Sequence, residues 1–494
     1  MRCSGILMHI TSLPGPYGVG TMGKQAFAFI DFLAEAGQRC WQILPLNPTG
    51  FGDSPYQSCS TFAGNHYLID LDTLVQEGLL LPEELDGITW SHREDKVDYG
   101  LLYENRLKIL RKAFLRHGET KDFARFRARN ADWLPQLVAY MGLKDFFGGS
   151  PWYQWPEAFR VYSPAVISRA WEKLGYENIQ FYCFVQYLFY KQWNRLHDYA
   201  RSKGVRIIGD VPIYVPLDSV EVWTEPKFFQ LDETLTPTAV AGCPPDGFTA
   251  DGQLWGNPLY DWDAMEADGF RWWIRRLEVA GSLYDVVRLD HFRGLESYWS
   301  VPYGDTTARN GRWVKGPGMN FIRAVQQALP ELEMIAEDLG YLTEEVISLR
   351  DASGYPGMKV LEFAFDTKEP ANYLPYTYTR NSVVYTGTHD NLTMRQWFDT
   401  ADEENLAFAT AYMGLKDPRD YVRDTIRTAF ATVSDTCIIP MQDILDLGAE
   451  ARMNFPGTLS NSNWTWRVKD DIINPGLAKD LLALTQLYGR NCGE

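Results

Sequence analysis

The stretch VRIIGDVPIYV (205–215) decides the fold: Val205, Ile207 and Ile208 lead into Asp210 without the alternation of a half-exposed strand. Near-continuous aliphatic residues mark a strand buried on both faces, as in a parallel sheet. YDVVRLDHF (284–292), EMIAEDLG (333–340) and SVVYTGTHD (382–390) repeat the pattern, each ending in an acid or close to one. SGILMHI (4–10), CWQILPL (40–46), GMKVLEFAF (357–365) and TCIIPMQDIL (436–445) complete a set of eight runs. Helical patterns lie between them at 21–37, with Phe27, Ile30 and Leu33 on one stripe and Gly37 as a stop, and at 319–329, 343–350 and 402–432. Strands alternating with helices eight times predict an α/β (β/α)₈ barrel rather than a doubly wound sheet.

Residues 1–494 therefore read as one barrel domain with two large insertions. The first, 47–200, follows strand two and is mostly helical. The second, 216–283, follows strand three, is loop-rich, and walls the active site. Both begin at strand C-terminal ends, the face where barrel enzymes build their sites. Within the first insertion Arg106, Lys108, Arg111 and Lys112 read as a solvated helix face, and Trp152, Tyr153 and Trp155 as packing or as the lining of a route to the site.

Lys plus Arg number 47 against 64 Asp plus Glu, a net charge of −17 that disfavours phosphate backbones and anionic membranes as partners. The 17 Trp and 27 Tyr supply flat apolar faces suited to stacking on sugars. Seven widely spaced cysteines with no C-x-x-C pair suit reduced thiols. MRCSGILMHI (1–10) has no cleavage pattern, and no stretch approaches the roughly 20 apolar residues of a membrane helix, so a cytoplasmic protein is expected.

Four strand ends carry acids: Asp210, Asp290, Glu337 and Asp390. A carboxylate after buried aliphatics is costly unless it meets partners or an open rim. Arg288 lies two residues before Asp290, so both side chains point the same way, and a guanidinium there would keep the carboxylate ionised as a nucleophile requires. Paired carboxylates are what glycosidic cleavage requires: one protonates the leaving oxygen while the other attacks the anomeric carbon or activates water. Glu337, after Met334, Ile335 and Ala336, is the candidate for the protonated partner. Asp390 is placed to hold sugar hydroxyls, with His389 as a neutral donor beside it.

GDVPIYV (209–215), VVRLDHFRG (286–294), IAEDLG (335–340) and YTGTHDN (385–391) resemble the four short regions shared by the α-amylase clan. SLPGPYGVGTMG (12–23), GDSPYQ (52–57), GCPPDGFTADGQLWGNPLYDW (242–262), VLEFAFD (360–366) and RMNFPGTLSNSNWTWR (452–467) resemble the amylomaltases within it, the 4-α-glucanotransferases of glycoside hydrolase family 77. The resemblance implies a retaining transfer of α-1,4-glucan segments between maltooligosaccharides. Asp290 would be the nucleophile, Glu337 the acid and base, and Asp390 the transition-state stabiliser. It further implies that Asp210, Arg288, His291, Asp366 and His389 contact sugar, that Tyr56 and Trp255 form platforms with Ser54 nearby, and that Gly256 and Asn257 belong to a loop arching over the site. Phe248, Trp255 and Trp464 would help exclude water. Tyr214-Val215 stands where an α-amylase has Asn-His, which speaks against a calcium site, and neither metal nor cofactor is expected.

Rival readings remain distinct. GVGTMGKQ (18–25) nearly spells a phosphate-binding loop but ends in Gln25 where a hydroxyl is needed. His9, His291 and His389 all end strands, as in a metallohydrolase barrel, yet no H-E-x-x-H occurs. A retaining α-glucan hydrolase or debranching enzyme would share the acid pair. A non-catalytic glucan-binding protein would not need it.

Overall fold

The computed structural model describes residues 2–245, 249–340, 342–368, 373–470 and 472–491. Its strands are β1 (Cys3–Leu7), β2 (Cys40–Gln42), β3 (Arg206–Val211), β4 (Ala239–Cys243), β5 (Gln253–Pro258), β6 (Val286–Leu289), β7 (Ser297–Pro302), β8 (Arg312–Lys315), β9 (Met334–Ala336), β10 (Gly357–Val360), β11 (Ser382–Tyr385) and β12 (Thr436–Pro440). Eight of them close a parallel barrel in the order β1-β12-β11-β10-β9-β6-β3-β2. Seven barrel strands fall inside the eight apolar runs, and β1 begins one residue before its run, at Cys3. β6 and β11 are buried along their whole length, as strands between a packed interior and a helical shell must be.

Local chemistry sets the strand ends. At Gly209 a Cβ would lie 2.1 Å from the Tyr284 ring, so only glycine lets β3 pass this close before presenting Asp210. The helix expected at 402–432 is two helices, Glu403–Met413 and Tyr421–Ala431. Gly414, at φ 68°, stops the first, and Pro418 lies in the link.

Residues 216–283 are less loop-rich than expected. They contain β4 and β5 and the helices Trp262–Ala267 and Arg271–Leu283. With β7 and β8 these strands form a second, antiparallel sheet in the order β5-β4-β7-β8. It carries Trp255, Gly256 and Asn257 on β5.

The first insertion holds helices Tyr99–His117, Lys121–Arg129, Leu134–Phe146, Pro164–Leu174 and Tyr176–Ser202. Arg106 corrects the solvated-face reading, because it is 0% exposed and donates to the carbonyls of Tyr67 and Ile69. Trp152 and Trp155 are core, whereas Tyr153 remains 37% exposed.

Candidate active site

Strand register brings the acids together. Asp210 pairs with Arg288 across β3 and β6, and Leu289 pairs with Ala336 across β6 and β9. The next residues, Asp290 and Glu337, therefore leave neighbouring strands side by side. The bonds Asp290 N–H to Val211 O (3.0 Å) and Glu337 N–H to Leu289 O (3.1 Å) fix both departures.

Arg288 is the cationic centre. Its Nη1 donates to Asp210 Oδ1 at 2.7 Å, to Asp210 Oδ2 at 2.6 Å and to Asp290 Oδ1 at 2.9 Å. Burial opposes charge on Arg288, but Asp210 and Asp290 outweigh it and hold the guanidinium well above its ordinary value. Burial pushes Asp210 up while Arg288 opposes that. The Asp210 side chain is fully buried, whereas that of Asp290 is 28% exposed and so open to the cleft.

Glu337 has the opposite surroundings. Burial pushes its carboxyl up to about 8, and the nearby Asp290 adds to the shift. Arg288 opposes it, as do two backbone donors: His291 N–H to Oε2 at 2.7 Å and Leu339 N–H to Oε1 at 3.0 Å. His291 reaches that position with φ 53° and ψ 47°, left-handed backbone that a non-glycine residue adopts only when held there. Burial lowers its imidazole to about 4, so the ring is neutral. Trp255 packs edge-on against it at 4.9 Å.

Tyr56 is more than a platform. Its hydroxyl donates to Asp210 Oδ2 at 2.8 Å and meets His389 Nε2 at 2.9 Å, while its ring stacks on His389 at 5.3 Å. Ser54 accepts from the Tyr56 N–H at 3.2 Å and shapes that turn. Gln57 donates to Asn257 at 3.2 Å, tying this loop to β5. Gly256, at φ 77°, has open space where a Cβ would be.

Asp390 is held by residues that sequence reasoning did not single out. Asn454 Nδ2 donates to Asp390 Oδ1 at 2.6 Å, and Arg452 Nη2 donates to the Asp390 carbonyl at 3.0 Å. The remaining Asp390 Oδ2 lies 3.5 Å from His389 Nε2. Trp464, itself at φ 64°, closes over Tyr56 and His389 at 5.7 and 5.9 Å. Beneath, Asp443 takes the Thr386 hydroxyl (2.5 Å) and the Met394 N–H (2.8 Å), and Glu362 takes the Leu392 N–H at 3.4 Å. Burial raises these two acids to about 6 and about 8. Only the quoted motif 452–467 hinted at Asn454 and Arg452; a contact spanning more than sixty residues leaves no local spacing to read.

Asp366 stands apart. Its carboxylate accepts from the nearby Lys368 N–H at 2.9 Å, and no described bond joins it to Asp290 or Glu337. Phe248 lies outside the described residues. Among the described residues no group of three or more His, Cys, Asp or Glu is arranged to hold a metal.

Fold and site together define a barrel enzyme with an acid pair at adjacent strand ends, one acid buried and the other open to an aromatic-walled cleft. The glycoside hydrolase family 77 model, described as 4-alpha-glucanotransferase, matches residues 8–473. The chain is 46% identical over 494 residues to the 4-alpha-glucanotransferase of Streptococcus pneumoniae serotype 4, covering 99% of this chain and 97% of the relative. It is 45% identical to that of Thermus thermophilus, covering 99% of each. Its fold is similar to the amylomaltase of Streptococcus agalactiae in complex with acarbose, with TM-score 0.95, 42% identity and coverage of 99% and 100%. The chain belongs to the 4-alpha-glucanotransferase family.

Proposed function

We propose that this 4-alpha-glucanotransferase moves α-1,4-glucan segments between maltooligosaccharides by double displacement with retention. Glu337 gives its proton to the glycosidic oxygen as the Asp290 carboxylate attacks the anomeric carbon, forming a glycosyl ester on Asp290 and releasing the reducing-end fragment. The ionised Glu337 then takes the proton from the 4-hydroxyl of an incoming glucan. That oxygen attacks the anomeric carbon, restoring the α-1,4 bond and freeing Asp290.

One observation carries the reading. Asp290 and Glu337 leave adjacent strands into opposite electrostatic surroundings, with Arg288 against the first and burial raising the second. Neighbouring strands lie about 4.8 Å apart, compatible with the roughly 5–5.5 Å carboxyl separation of retaining enzymes. Asp390 steadies the ring as positive charge develops, His291 and His389 contact its hydroxyls, and the enclosed Asp210 positions Arg288 and Tyr56 beneath them.

Transfer requires that a sugar outcompete water. Tyr56 and Trp255 offer stacking surfaces that raise the acceptor's effective concentration, and Trp464, packed over Tyr56, helps limit solvent access. The insertions 47–200 and 216–283 wall this cleft. We place the enzyme in the cytoplasm; among the described residues no helix is long and apolar enough to cross a membrane. Incubation with maltotriose tests the activity: a ladder of longer chains with free glucose supports it, and glucose and maltose without elongation overturn it in favour of hydrolysis.

A further inference from the structure

His9, one of the three strand-end histidines, has no part in the steps above, yet it shares a cavity with His389. This cavity, about 20 Å³, lies at the root of the site and is walled by His9, Ser12, Leu44, His389, Gln442 and Trp466. A space of that size holds one water molecule if polar partners face it.

The hydrogen-bond directions around the site fix where those partners are. Tyr56 has a single hydroxyl proton and donates it to Asp210 Oδ2, a carboxylate oxygen that also accepts from Arg288. At the 2.9 Å contact with His389 Nε2 the Tyr56 oxygen must therefore accept, which places the proton on Nε2. With that proton on Nε2, a neutral ring would leave His389 Nδ1 as an acceptor only. That atom is buried and no protein donor reaches it. His9, which lines the same cavity, accepts at Nδ1 from the Leu44 N–H at 3.2 Å, so its proton is on Nε2. Burial, with His389 adding to it, lowers His9 to about 3, and the ring stays neutral. One histidine brings a spare donor to the cavity and the other a spare acceptor. Leaving the acceptor buried and unpaired is costly, and a water molecule relieves that cost.

We propose that one buried water molecule bridges His9 Nε2–H and His389 Nδ1, and so fixes the tautomer that His389 presents to Tyr56. The water accepts from His9 and donates to His389. A proton on Nδ1 instead would turn the Nε2 lone pair toward the Tyr56 oxygen and break the run from Arg288 through Asp210 and Tyr56 to His389. His9 is then a positioning residue acting through His389. This rests on the reading of the site above only where it concerns kinetics.

Long-range ¹H–¹⁵N spectra of the histidine rings test the proposal in the intact protein. The expected wild-type result is His389 protonated on Nε2, with one ordered water between the rings in a high-resolution crystal structure. His9→Phe, which removes the donor and fills the cavity, should give mixed His389 tautomers and a fall in kcat/KM for maltotriose of between about tenfold and a hundredfold. His9→Gln, which keeps an N–H, should retain the wild-type tautomer and covers the case in which His9→Phe fails to fold. A wild-type proton on Nδ1, a dry cavity, or an unchanged tautomer in folded His9→Phe overturns the proposal. Failure of wild type to elongate maltotriose would overturn the functional reading and leave the tautomer result standing.

Discussion

The backbone N–H of His291 donates to Oε2 of Glu337 at 2.7 Å, so the residue following one acid of the pair holds the other. With Leu339 N–H on Oε1, each carboxyl oxygen has one lone pair engaged by the backbone. The acid's proton is confined to the positions that remain. This relationship orients Glu337 while leaving burial to decide its charge.

Activity should fall as pH rises through about 8, where Glu337 loses the proton needed for the first step. Stability carries the same signature. The folded state keeps on Glu337 a proton that the unfolded chain releases above about 4.5, so stability drops as pH rises from there to about 8. Glu337→Gln lacks this term. Thermal unfolding across the range should show the variant gaining on the wild type up to about pH 8 and levelling off above.

Glu337→Gln should lower maltotriose turnover by about 10²–10⁴-fold. With α-maltosyl fluoride, whose leaving group needs no acid, it should still release a burst of fluoride. Asp290→Asn should release none. Fluoride-electrode traces separate the two roles, and a burst from Asp290→Asn would reverse them.

Asn454→Ala frees one oxygen of Asp390, and kcat for maltotriose should fall between about tenfold and a hundredfold, with KM little changed. Asn454→Asp should be worse, because it sets a second carboxylate against the first. Steady-state kinetics with unchanged melting temperature distinguishes this role from a structural one.

Arg106→Ala should cost about 3 kcal/mol or more in urea unfolding, since it leaves the Tyr67 and Ile69 carbonyls without their donor and opens a cavity. A solvated arginine would change stability by less than about 0.5 kcal/mol.

The barrel was legible because its strands are buried on both faces and so are written as unbroken aliphatic runs. The second sheet was not. β5 (Gln253–Pro258) alternates half-buried and exposed residues before its buried end and contains Gly256, while β8 (Arg312–Lys315) reads as charge and tryptophan, so neither shows buried-strand composition. Arg106 illustrates a signal present but passed over. Tyr99, Leu102, Arg106, Ile109 and Ala113 fall at spacings of three and four, the buried stripe of their helix, and its charge concealed that. Asp210, Asp290, Glu337 and Asp390 stood out as acids at strand ends. Their supports, Asn454, Arg452 and Glu362, come from distant segments joined only by folding.

Double displacement through Asp290 is tested most directly by trapping the ester. Glu337→Gln treated with α-maltosyl fluoride forms the glycosyl-enzyme without an acid but lacks the base that would clear it, so peptide mass spectrometry should find a maltosyl group on Asp290. An adduct on another residue, or no adduct together with a β-configured product, would contradict the account.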